Sequence, residues 1–254
     1  MGRAAAVLDD RRSLALAGLA LALGVYTAAA GYLWDGNLDA DVAFLALVLI
    51  PATHALIWLA LPFAFRPRLL LAALVFAVTA VAFALADLDV LFNLAKLAVF
   101  TTLGFWFLTY FETVAWAVLV AAIIPWVDAI SVWRGPTEYV VEEQPSVFED
   151  VSVAFRLPGE ESSANLGPPD VLFFALFLAA SDRFGLRVAA TWLSMTALLG
   201  VTLVLTAYTD VSGLPALPAI CLGFLLPNAD LLWRALRTKR EPEAAAADGA
   251  EDAK

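Results

Sequence analysis

The sequence predicts an all-α, polytopic transmembrane bundle. Three observations carry that class: 62% of the 254 residues are hydrophobic, the mean hydropathy is +0.83, and apolar runs of about twenty residues, long enough to cross a bilayer as helices, recur along the chain. A soluble two-domain protein does not have this pattern. With one cysteine, Cys221, and one histidine, His54, neither a disulfide framework nor a metal centre is expected, and no cofactor motif is present. Cys221, among apolar neighbours, reads as a small core residue. The net charge of −10 gives no basic surface for nucleic acid, so the expected partners are the lipid bilayer and other membrane proteins. Three lysines against twelve arginines, with acids in loops and tail, suit a halophile's saline cytoplasm.

A short basic segment (Arg3, Arg11, Arg12) precedes the first apolar run, 14–34. Ala28, Ala29 and Ala30 satisfy the small-residue rule of a signal-peptide cleavage site, but the run is long and more spans follow, so an uncleaved first helix is expected. An acidic connector leads to a second span, 42–65, where Pro51 removes a helical donor and His54 is placed to satisfy freed backbone groups. Arg66, Pro67 and Arg68 make a tight basic turn before a third span, 69–86, closed by Asp87 and Asp89. The fourth and fifth spans, 90–110 and 113–133, are separated by a turn near Glu112. Lys96 in the fourth is expected to extend its ammonium to the interface.

The polar loop 134–168 carries two basic and seven acidic residues, 2 − 7 = −5. Within it Val151, Val153, Phe155 and Leu157 alternate with Ser152, Ala154 and Arg156, which predicts a short strand whose open edge would accept an extended peptide. Three more spans follow, 169–184, 188–208 and 214–236. Asp182 and Arg183 are expected in a solvated connector. Asp230 precedes Arg234 by four residues, the spacing of an ion pair on one helix face, while Trp34, Trp133 and Trp233 sit near span ends as interfacial anchors. The chain thus reads as one membrane domain, 1–236, with N-terminal spans over 14–111 and C-terminal spans over 113–236, ending in a charged, disordered tail, 237–254.

Ionisable residues within spans are costly and mark functional sites. Asp128 lies about one and a half turns from the loop-side end of the fifth span and Asp170 at the loop-side start of the next, so both carboxylates lie on the same side of the membrane, a little below the surface. If those helices pack together, the two like charges cannot both ionise easily and the pair shares a proton. That is the requirement of an aspartyl hydrolase, in which one carboxylate activates water while its protonated partner polarises a carbonyl. Separate solvation of each acid at a helix end is the alternative. Pro215 and Pro218, close together at the start of the last span, leave backbone without helical donors and offer it to an extended ligand, although a proline helix cap has the same spacing.

These motifs resemble the intramembrane aspartyl proteases of the presenilin and signal peptide peptidase type, in particular their archaeal members. The resemblance rests on Asp128 followed by Ala129-Ile130-Ser131-Val132, a loop, Gly167 three residues before Asp170, one intervening span, and Pro215-Ala216-Leu217. It covers the chain from about Thr113 to Leu236, and the N-terminal half by hydropathy alone. It implies a presenilin-like bundle in the cell membrane, with about eight spans here against the family's nine. It further implies a catalytic dyad of Asp128 and Asp170, a substrate-binding role for Gly167, Pro215, Ala216 and Leu217, and hydrolysis of single-span membrane protein helices within the bilayer. The chain departs from the family pattern at Val127, where tyrosine is usual, and at Pro169, where glycine is usual. A fold that binds transmembrane helices without cutting them therefore stands as the alternative, and a small proton-coupled transporter as a third reading. With the N-terminus inside, Arg66, Arg68, Arg183, Arg187, Arg237, Lys239 and Arg240 fall on the cytoplasmic side and the loop 134–168 outside, as the positive-inside rule requires.

Overall fold

The computed structural model describes residues 10–134, 150–160, 163–209 and 214–237. Eight helices are present among them: α1 (Arg11–Tyr32), α2 (Leu38–Phe65), α3 (Leu69–Leu85), α4 (Asp89–Tyr110), α5 (Val114–Arg134), α6 (Pro168–Arg183), α7 (Val188–Ala207) and α8 (Leu217–Arg237). Six are long and apolar enough to cross a membrane, whereas α3 and α6 are shorter, at 17 and 16 residues. The chain is thus an all-α bundle of the multi-pass membrane type. The expected tail beyond Arg237, residue Gly213 and loop residues 135–149 lie outside the described residues.

Helix α6 is the axis of the bundle. Val171 and every residue from Phe174 to Ser181 are 0% exposed, and α2, α4, α5, α7 and α8 all touch it. A helix buried on every face has no polar stripe to present, and PPDVLFFALFLAASDR has none between Asp170 and Ser181. Lipid chains are as apolar as leucine, so close packing and polar bonds between helices must hold such a bundle together. Gly104 of α4 supplies the closest approach: a Cβ there would lie 2.3 Å from the Leu172 carbonyl oxygen of α6.

Polar side chains within the spans make long-range bonds. His54 does not serve the backbone around Pro51. Its Nδ1 is 3.0 Å from Thr196 Oγ1 of α7, and its ring stacks on Phe174 with centroids 3.7 Å apart. The irregularity caused by Pro51 is absorbed instead by a π-helical stretch, Leu45–Leu49, because proline lacks the N–H for its turn and its ring crowds the preceding carbonyl. Asp182 and Arg183 are exposed, as expected, and Arg183 also donates to the Leu108 carbonyl at the end of α4 (2.8 Å). Asp230 accepts two bonds from Arg187, at 2.6 and 2.9 Å, a long-range partner that helical spacing does not reveal.

Helices α4 and α6 run parallel. The start of α4 bears on a short antiparallel hairpin of β1 (Val153–Arg156) and β2 (Ser163–Leu166), in the register Val153↔Leu166, Ala154↔Asn165, Phe155↔Ala164 and Arg156↔Ser163. The predicted strand is therefore real but shorter than expected, and it has a partner. Gly167 alone separates β2 from α6, so the hairpin leads straight into the central helix.

Candidate functional site

Asp170 occupies the third position of α6, whose entry is set by Pro168 and Pro169. Proline suits a first helical turn because the N–H it lacks has no intrahelical acceptor there. Gly167 is the N-cap, with extended backbone (φ −62, ψ 150). Asp170 Oδ2 accepts from the Gly167 N–H at 3.2 Å, the reciprocal limb of a capping box; glycine has no side chain to supply the other limb. Asp170 is half-buried, and immediately after it the helix enters the sealed interior at Val171.

Asp128 lies on α5 three residues after Pro125, also half-buried. Its Oδ2 accepts from the Leu217 N–H at 3.0 Å. Leu217 is the first residue of α8, where Pro215 precedes and Pro218 follows. The first turn of a helix leaves N–H groups without intrahelical acceptors, and a carboxylate at a helix N-terminus is favoured by the helix dipole as well as by the bond itself. Asp128 thus caps a helix 89 residues downstream.

The two acids are near enough for their charges to act on one another, and α5 touches α6. The six residues expected at the site fall into two bonded groups, on helices that touch. Asp128 meets Leu217 directly, Pro215 and Ala216 lead into Leu217, and Gly167 is bonded to Asp170. Cys221, buried one turn along α8 as a small core residue, also lies within electrostatic reach of Asp128. Val127, by contrast, is 54% exposed on the outer face of α5, and Pro169 is exposed at the start of α6. No cluster of His, Cys, Asp or Glu suited to a metal ion occurs among the described residues.

Sequence reasoning missed the residues that hold the hairpin beside this site. Asn93 of α4 bonds to both the N–H and the C=O of Ala154, and Tyr26 of α1 donates to the Arg156 carbonyl. Lys96 is buried rather than extended to the interface, donating to the Asp150 carbonyl at 3.1 Å with its ammonium 4.4 Å from the Phe92 ring centroid. The available signal was the pair Asn93 and Lys96, two polar residues one turn apart in the otherwise apolar stretch 90–100. The outer edge of β1, expected to be open, is closed by these side chains. Neither a protein-family model, nor a curated protein, nor a solved structure matches the chain.

Proposed function

We propose that the chain is an intramembrane aspartyl endopeptidase that hydrolyses single-span transmembrane helices with Asp128 and Asp170. The observation that supports this reading is the bond from Leu217 N–H to Asp128 beside Asp170, which joins three sequence-distant motifs at the start of two helices. In the mechanism one carboxylate takes a proton from water as it attacks the peptide carbonyl, and the other, protonated, donates to the carbonyl oxygen. Two carboxylates in mutual reach and out of bulk water hold one proton between them more readily than none, which supplies both roles from one pair. A helical substrate has no free backbone groups, so it must unwind before cleavage. Strand addition to the hairpin edge that leads to Asp170 gives the unwound segment backbone partners where bilayer lipid offers none.

A second reading, a member of the same fold that binds transmembrane helices without cutting them, is favoured by Pro169, which fixes the backbone immediately before Asp170. The two are separated by cleavage of a single-span reporter in high-salt detergent, with products identified by mass. Wild type is expected to cleave, and Asp170→Ala and Asp128→Asn each to lose at least about 10²-fold in rate. Asparagine at 128 keeps an acceptor for the Leu217 N–H, so its loss reports chemistry rather than an uncapped α8. A folded wild type that binds the reporter and leaves it intact moves the assignment to the binder.

A further inference from the structure

His54 is the one histidine of the chain, and its ring joins three helices. It rises from α2 and lies flat on Phe174 of α6, with ring centroids 3.7 Å apart and planes 20° from parallel. Its Nδ1 is bonded to Thr196 Oγ1 of α7 at 3.0 Å. All three side chains are buried, so the bridge lies within the sealed core.

The bond is unusual for its helix. Thr191, Thr202 and Thr206 of α7 each turn the hydroxyl back to the carbonyl four residues earlier, at 2.9, 3.1 and 3.0 Å, a common arrangement for a helical threonine. The bond of Thr196 runs across to α2 instead. The other ring nitrogen of His54, Nε2, is buried and has no protein partner among the described residues. A buried nitrogen without a partner is a net cost, whereas a phenylalanine ring would fill similar space and stack on Phe174 without it. Packing alone therefore does not account for histidine at this position; what histidine adds is one directed bond to α7.

That bond bears on the end of α6 that carries an acid. Phe174 follows Asp170 by four residues, one helical turn on the same face, and a helical side chain covers the turn before its own Cα. The ring beneath His54 thus lies against the turn that presents Asp170. Farther along, α6 is tied to its neighbours by Ser181, bonded to Thr191 of α7 at 3.3 Å, and by Arg183, bonded to the Leu108 carbonyl. The bridge through His54 and Thr196 is the corresponding tie nearer Asp170.

We propose that His54 is a positioning residue: clamped to α7 by Thr196, its ring bears on Phe174 and holds the first turns of α6 so that Asp170 keeps its place beside Asp128. The proposal rests on the reading above that these two acids carry out the cleavage. His54 bonds to neither acid and acts through Phe174.

The test compares wild type, His54→Phe, Thr196→Val and Thr196→Ser in high-salt detergent. The readouts are thermal melting, kcat and KM for the single-span reporter, and hydrogen–deuterium exchange of α6. Phenylalanine keeps the stack and loses the bond, valine removes the bond from the other side, and serine keeps the hydroxyl. His54→Phe and Thr196→Val are each expected to lower kcat about tenfold with KM within about twofold, because a misplaced catalytic group costs rate rather than binding. His54→Phe is expected to melt no lower than wild type. In both variants the amides of Leu172 to Phe174 are expected to exchange about tenfold faster while those of Phe177 to Ala180 are unchanged. Thr196→Ser is expected to match wild type throughout.

A His54→Phe variant with kcat unchanged, or with KM raised and kcat constant, overturns the proposal. So does a melting temperature that falls together with kcat while exchange rises along all of α6, which would make His54 a core contact. Cleavage by wild type, with exchange at the start of α6 indifferent to both bond-breaking variants, sinks the His54 proposal and leaves the protease reading standing. If wild type leaves the reporter intact, exchange still decides: a local response in those two variants that is absent from Thr196→Ser upholds the clamp while the protease reading falls, and no response removes both.

Discussion

Asp128 and Asp170 each turn one carboxylate oxygen to a backbone N–H at a helix start, Leu217 for α8 and Gly167 for α6. These bonds fix where the carboxylates sit and limit how they move, which is the preorganisation a general acid–base pair needs. The constraint is strongest at Pro169, whose ring holds the residue before Asp170 at a helical φ. Replacing it with glycine releases the start of α6 without removing any hydrogen bond, because proline donates none there. Pro169→Gly is expected to lower stability by up to about 1 kcal/mol through added freedom in the unfolded chain, and to raise kcat for the reporter by letting Asp170 adjust toward Asp128. Thermal melting and single-turnover cleavage measure the two effects separately, and an unchanged kcat would show that the helix start is not limiting.

The hairpin and α6 are the elements that carry the site. A short two-stranded ribbon is marginal alone; this one survives because α1 and α4 bond its outer edge and because Val153, Phe155 and Leu166 are buried against the bundle. The outward edge of β2, to which no described residue bonds, makes an element-level prediction. Asn165 pairs with Ala154, whose own N–H and C=O go to Asn93, so the Asn165 N–H points away from β1 and proline is tolerated there as it is on any outward edge position. Asn165→Pro is expected to leave the fold and exchange of β1 intact while raising the reporter KM about two- to tenfold, the worth of one backbone hydrogen bond. An unchanged KM would exclude strand addition at β2.

Across the whole molecule, charge and packing are distributed in opposite ways. Arg66, Arg68, Arg183, Arg187 and Arg237 sit at the end of the bundle away from the hairpin, as does Arg12, which donates to the Leu59 carbonyl near the end of α2 at 3.1 Å. Asp35, Asp39, Asp89, Asp150 and Glu160 sit at the hairpin end. Packing is concentrated on α6, and Gly104 is where it has the least slack. Gly104→Leu forces α4 and α6 apart against the Leu172 carbonyl, and overpacking of this kind costs about 1–3 kcal/mol or more. The expected result is a lower melting temperature in detergent together with loss of reporter cleavage, since the displaced α6 carries Asp170; full activity at an unchanged melting temperature would show that the two helices separate freely.

What the sequence determined by itself is whatever a single helix or strand must satisfy locally. The span ends near Arg66, Asp87, Tyr110 and Ala207 are legible because charged, proline-rich and polar residues stop apolar runs. Asp128, Asp170 and Pro215 stood out because polar or backbone-freeing residues are costly at membrane depth, whereas Gly167, Ala216 and Leu217 were marked by the family resemblance alone. The tertiary structure decided the partners. Sequence spacing set Asp230 against Arg234, where the fold brings Arg187 to it. It gave His54 to the backbone near Pro51, where the fold offers Thr196 and the face of Phe174. It left the edge of β1 open, where Asn93 closes it from 61 residues away. For Nδ1 of His54 and the β1 edge the reason is that a polar group out of water must be satisfied, whereas Asp230 and Arg187 meet at the exposed end of the bundle; in all three, only the packing of segments remote in sequence determines which partner arrives.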